Sequence, residues 1–115
     1  MKSGEVVIAR LWQADDGMKL GPAILLCRLA PFGDWLVCGV SSQVRHHVPD
    51  FDELIGPDAD DFVKSGLRQP SLIRLGFLGT VTKAQVGGDL GEISPARLQR
   101  LRQNLSRLLQ RAEGE

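Results

Sequence analysis

Hydrophobic residues fall in short blocks through the first two thirds of the chain and on one helical stripe near its end. Glu5 to Trp12 (EVVIARLW) is rich in β-branched and apolar residues and runs into the polar Gln13-Ala14-Asp15-Asp16-Gly17, which predicts a strand and its loop. Pro22 to Leu29 (PAILLCRL) is a nearly unbroken apolar run, the pattern of a strand buried on both faces or lying in a closed barrel. Pro31-Phe32-Gly33-Asp34 is turn material, and Trp35 to Val40 (WLVCGV) predicts a third strand, antiparallel to the second across a hairpin. Pro70 opens a later strand, Ser71 to Val81 (SLIRLGFLGTV), where Gly76 and Gly79 mark a bulge or sharp bend.

Two segments break the strand pattern. Asp50 to Asp61 holds Asp50, Asp52, Glu53, Asp58, Asp60 and Asp61 with no basic residue, and reads as a solvated connection with Phe51, Leu54 and Ile55 touching the core, the alternative being a run that mimics or repels a nucleic-acid backbone. Asp58 is placed to cap a short helix that ends about Ser65, with Gly66 as its C-terminal stop. At the other end Ser94 and Pro95 form an N-cap and first helical position. Leu98, Leu101, Leu105, Leu108 and Leu109 then recur at helical spacing and predict the docking stripe. Arg97, Arg100, Arg102, Arg107 and Arg111 fall elsewhere on this helix and read as a solvated face, or as a rim for an acidic partner.

Composition changes this picture little. The chain has 115 residues, 43% of them hydrophobic and 24% charged, enough for one compact domain spanning 1–115. Fourteen basic side chains balance fourteen acidic ones, so any nucleic-acid partner must be drawn by a local patch. No apolar stretch approaches the roughly 20 residues of a membrane helix, and Met1-Lys2-Ser3-Gly4-Glu5 lacks a signal-peptide core. Cys27 and Cys38 sit in apolar runs as reduced thiols rather than a disulfide or metal pair. The expected setting is the cytoplasm, with no membrane partner.

Four stretches in order carry a family resemblance. Gly4-Glu5-Val6-Val7 opens the first strand and Lys19-Leu20-Gly21-Pro22-Ala23-Ile24-Leu25-Leu26 the second. Val40-Ser41-Ser42-Gln43 closes the third, and Gly66-Leu67-Arg68-Gln69-Pro70-Ser71-Leu72-Ile73-Arg74-Leu75 precedes Gly91-Glu92-Ile93-Ser94 and the last helix. Together they resemble the PemK/MazF family of toxins from type II toxin–antitoxin modules. The resemblance implies a mainly β fold with α: an SH3-like, strongly curved antiparallel β-barrel, shared with CcdB-type gyrase inhibitors, plus a C-terminal helix. It also implies a homodimer, a cognate antitoxin, and sequence-selective cleavage of single-stranded RNA without metal or other cofactor. The ribose 2′-OH would attack its own phosphate, leaving a 2′,3′-cyclic phosphate and a 5′-OH.

Such chemistry needs proton transfer at two oxygens and positive charge at the phosphorane. In the family this falls mainly on an arginine before the second-strand proline and a threonine ending the third strand. Those positions are Gly21 and Ser41 here. Ser41 keeps the hydroxyl; Gly21 offers neither donor nor charge. Lys19, two residues earlier, projects from the same strand face as position 21 and is the nearest substitute, a point charge in place of a fork. Its plain reading is a solvated lysine at a loop edge. His46 suits acid–base work, and only one of His46 and His47 can face a given side. Arg28 and Arg74 are more distant candidates. RNA contact falls to Trp12, Gln13, Gln43, Arg45 and His47, although Trp12 and Trp35 also suit a core or dimer interface. The competing functions are a catalytically inactive relative that binds RNA or antitoxin, and a CcdB-type gyrase inhibitor.

Overall fold

The computed structural model describes the backbone of residues 1–13 and 17–111, with side chains for 1–11 and 17–111. Its strands are β1 (Glu5–Gln13), β2 (Gly17–Leu29), β3 (Asp34–Ser41), β4 (Glu53–Ile55), β5 (Ser71–Val81) and β6 (Val86–Glu92). Helices α1 (Phe62–Ser65) and α2 (Pro95–Gln110) and two 3₁₀ turns, Val44–His46 and Lys83–Gln85, complete the described residues. The strands form one curled antiparallel sheet in the order β4-β5-β3-β2-β1-β6, a half-barrel with α2 at the C-terminal end.

The apolar run of β2 is explained by burial on both sides. Ile24 and Leu26 pack with Val6, Cys38, Ile73 and Leu75 on the face that receives Leu101 and Leu105 of α2. Ala23 and Leu25 point the other way, into a second cluster with Val7, Ala9, Leu11, Trp35, Val37 and Val81. Trp35 is therefore a core residue.

β5 carries the expected bend. Cys38 pairs with Leu78 and the next residue, Gly39, with Arg74, so Leu75, Gly76 and Phe77 form a bulge with no partners on β3. β2 begins at Gly17 rather than Pro22, because residues 17–21 continue the ladder against β1. β6 was not expected. Its sequence, VGGDLGE, has no apolar alternation, and it is held at the edge by pairing with β1.

The acidic segment corrects the sequence reading most. Asp52 and Asp61 are buried. Asp61 binds the Arg97 guanidinium through two hydrogen bonds, at 2.8 and 3.1 Å, and Glu53 reaches both Arg97 (2.9 Å) and Arg100 (2.8 Å). The segment is thus a strut between β4 and α2. Asp61, not Asp58, is the N-cap residue of α1, and its carboxylate makes no capping bond because Arg97 and the Ser94 N–H hold it.

The arginine face of α2 is likewise only partly solvated. Arg97 is buried and Arg102 Nε donates to the Leu26 carbonyl at 2.9 Å. Ser94 caps α2 as expected, its Oγ accepting from Arg97 N at 3.1 Å. The leucine stripe, however, leaves the core in its last turn, where Leu108 and Leu109 are exposed.

α1 ends at Gly66, which takes a left-handed conformation (φ 76°). A Cβ on Gly66 would fall 2.1 Å from the Leu90 carbonyl oxygen, and one on Gly91 2.0 Å from the Lys64 carbonyl oxygen. The end of α1 and strand β6 therefore meet backbone to backbone.

Candidate functional site

The face of the sheet that carries the second cluster continues past it into an open groove of about 720 Å³. Strand alternation decides which side chains enter it. Gly39 lies opposite Ala23 on β2 and Arg74 on β5. Residues two apart on one strand share a face, so Lys19, Gly21, Ser41 and Arg74 all belong to the side of Ala23 and Gly39. All four line the groove, together with Gln43 and His46 from the connection after β3 and Arg68 and Gln69 from that before β5.

Ser41 ends β3. The backbone N–H of Gln43 donates to its Oγ at 3.0 Å, which fixes the oxygen and leaves the hydroxyl proton available to an acceptor in the groove. His46 sits on the 3₁₀ turn, whose backbone is tied by His46 N to the Gln43 carbonyl at 3.0 Å. The two histidines part as adjacent residues must. His46 lines the groove, whereas His47 Nε2 donates to the Asp52 carbonyl at 3.1 Å.

Asp52 braces this loop. Its carboxylate accepts from Val48 N (3.1 Å) and Leu75 N (3.2 Å), joining the loop behind His46 to the β5 bulge beside Arg74. Neither His47 nor Arg45 lines the groove, so the geometry does not gather them with the other candidates. The side chains of Trp12 and Gln13 lie outside the described residues.

Gly21 leaves a space rather than a contact. A Cβ built there meets nothing within 4 Å. The groove nevertheless contains an arginine. The guanidinium carbon of Arg74 lies 4.1 Å from the Phe77 ring centroid, and Arg74 Nε is buried without a hydrogen-bond partner. A buried, unpartnered donor of this kind typically costs about 1–3 kcal/mol, and such groups gather where a ligand completes them. The sequence alone could not place Arg74, because its side of the sheet is set by the register of β5 on β3, which no local pattern announces.

The lining has a one-sided charge. Lys19, Arg68 and Arg74 are cationic, and no lining residue among those described is acidic. In a chain of zero net charge this is a local positive field suited to an anion. Outside the groove, no helix among the described residues is long and apolar enough to cross a membrane.

No family model matches the chain, and no curated protein matches it. Among solved structures, the fold is similar to that of an endoribonuclease in complex with its cognate antitoxin from a mycobacterial species. That match has 18% identity and a TM-score of 0.65, covering 95% of this chain and 94% of the other.

Proposed function

We propose that this protein is the toxin of a type II toxin–antitoxin module, an endoribonuclease that cuts single-stranded RNA in the groove between β2, β3 and β5. One observation carries the reading: the acid-free groove gathers Lys19, Ser41, His46, Arg68 and Arg74, whose buried Nε has no hydrogen-bond partner, in a chain with no net charge. The shared fold with a toxin endoribonuclease supports it, as does the order of sequence motifs.

In the proposed reaction Arg74 and Ser41 bind the non-bridging oxygens of the scissile phosphate. The guanidinium replaces, from β5, the charge missing at Gly21. Neutral His46 takes the proton of the ribose 2′-OH, and the 2′ oxygen bonds to phosphorus. The bond from phosphorus to the 5′ oxygen breaks, that oxygen takes a proton from water in the open groove, and the hydroxide left behind takes back the proton held by His46. The products are a 2′,3′-cyclic phosphate and a 5′-OH. Arg74 and Lys19 stabilise the charge that develops on the phosphorane. No cofactor enters this scheme, and its partners are RNA, a cognate antitoxin and a second copy of the chain.

The test is cleavage of a long single-stranded RNA in EDTA with fragment ends mapped. Discrete cuts bearing cyclic phosphates are expected, with Arg74→Ala and Ser41→Ala each losing about a hundredfold or more in rate. Intact RNA after prolonged incubation would overturn the nuclease reading. It would favour the second one, RNA or antitoxin binding without cleavage, for which the empty wall at Gly21 is the supporting observation. Topoisomerase-dependent DNA breaks instead of RNA fragments would point to gyrase inhibition.

A further inference from the structure

Arg74 and Phe77 are three residues apart, and on a regular strand they would face opposite sides of the sheet. The bulge at Leu75, Gly76 and Phe77 reverses the alternation. Beyond it, Val81 packs in the same cluster as Ala23, so Phe77, four residues before Val81, returns to the side of Arg74. The result is an arginine–aromatic stack inside the groove, with 4.1 Å between guanidinium carbon and ring centroid.

The absence of a side chain at residue 39 gives the stack room. Gly39 lies beneath the Phe77 side chain, where a Cβ would come within 3.2 Å of Phe77 Cβ. Apart from the His46 imidazole, Phe77 is the one aromatic residue among those described that line the groove. A half-buried phenyl ring packed with an arginine, both opening on a cationic groove, offers flat stacking surface beside an anion site.

From this we infer that the Arg74–Phe77 stack seats one nucleobase of the bound strand, next to the phosphate held by the edge of the Arg74 guanidinium. The inference rests on the reading of the groove as an RNA site and adds what that reading lacks, a contact to a base. Phosphate contacts position a strand without reading it, whereas stacking contacts a base and tolerates several. Phe77 then supplies the contact to a base at this position, and Arg74 joins base and phosphate recognition in one side chain.

The test uses full-length protein and 2′-O-methyl octanucleotides, which cannot be cut. Four homopolymers, one for each base, are compared with the abasic ribose–phosphate octamer by competition binding. Wild type should prefer at least one base-bearing octamer over the abasic one by about tenfold or more. Phe77→Leu should collapse that preference while keeping the salt-dependent, phosphate-driven binding. Phe77→Trp should retain it, which separates loss of stacking from loss of fold. An undiminished preference in Phe77→Leu would overturn the base seat and leave the RNA reading standing. Failure of wild type to bind any octamer, abasic included, at low salt would overturn both.

Discussion

Arg97 Nε donates to Asp61 Oδ2 at 2.8 Å, joining residues 36 apart in sequence within a buried site. Burial pushes the Asp61 carboxyl up, but the Arg97 hydrogen bond, the Ser94 N–H and the Arg97 charge outweigh it and hold the group below its ordinary value. A carboxylate with a lowered folded-state pKa contributes stability in full above its unfolded value, about 3.9, and loses it as pH falls toward the folded value. Asp61→Ala should therefore cost about 3 kcal/mol at pH 7. Urea unfolding should show the gap to wild type narrowing at about pH 3; a gap independent of pH would refute the linkage.

Asp52 accepts two backbone N–H groups with two carboxylate oxygens, from Val48 and Leu75. Asparagine offers one acceptor, and its amide N–H₂ would face the other donor. Asp52→Asn should destabilise by about 2 kcal/mol and speed hydrogen exchange at Val48 and Leu75. RNA cleavage should fall through kcat more than KM, since the loop bearing His46 loses its brace. Unchanged exchange at both amides would show that the brace is not needed.

Gly21 faces open groove, and a Cβ there would meet nothing within 4 Å. Gly21→Arg should change stability by no more than about 0.5 kcal/mol and raise cleavage by about tenfold, measured as kcat/KM on one RNA. Equal rates in a folded variant would show that catalysis makes no use of this wall.

The two thiols should differ in reactivity. Burial first, and the nearby Asp52 charge second, push the Cys38 thiol up to about 12, only partly offset by a backbone hydrogen bond from Ile24. Cys27 is half-buried. At pH 8 a thiol reagent should label Cys27 readily and Cys38 only as the protein opens, so mass spectrometry of partly labelled protein should find the adduct on Cys27.

The parts of the fold legible in the sequence are those with an intact period. β1, β3, β5 and α2 announce themselves by β-branched runs or by leucine spacing with a Ser-Pro start. The same two-residue alternation groups Lys19 with position 21, and both line the groove. What escaped has no local signal. The glycine-rich β6 exists because β1 offers it an edge, and the acidic segment is ordered by arginines more than thirty residues away. Arg74 borders a bulge and Phe77 lies within it, and counting residues from one to the other does not predict a shared face.

The close approach of Gly66 to the Leu90 carbonyl, and of Gly91 to that of Lys64, also bears on how such a groove could diversify. Gly66 and Leu90 both line it, so part of one wall stands where two main chains touch and no side chain can be wedged between them. That part of the groove's bore is set by backbone, while its chemistry is written by side chains on the opposing strands. Substitutions at 19, 21, 74 and 77 would change the chemistry of the groove without moving this wall, whereas a methyl group at 66 or 91 would force the seam apart.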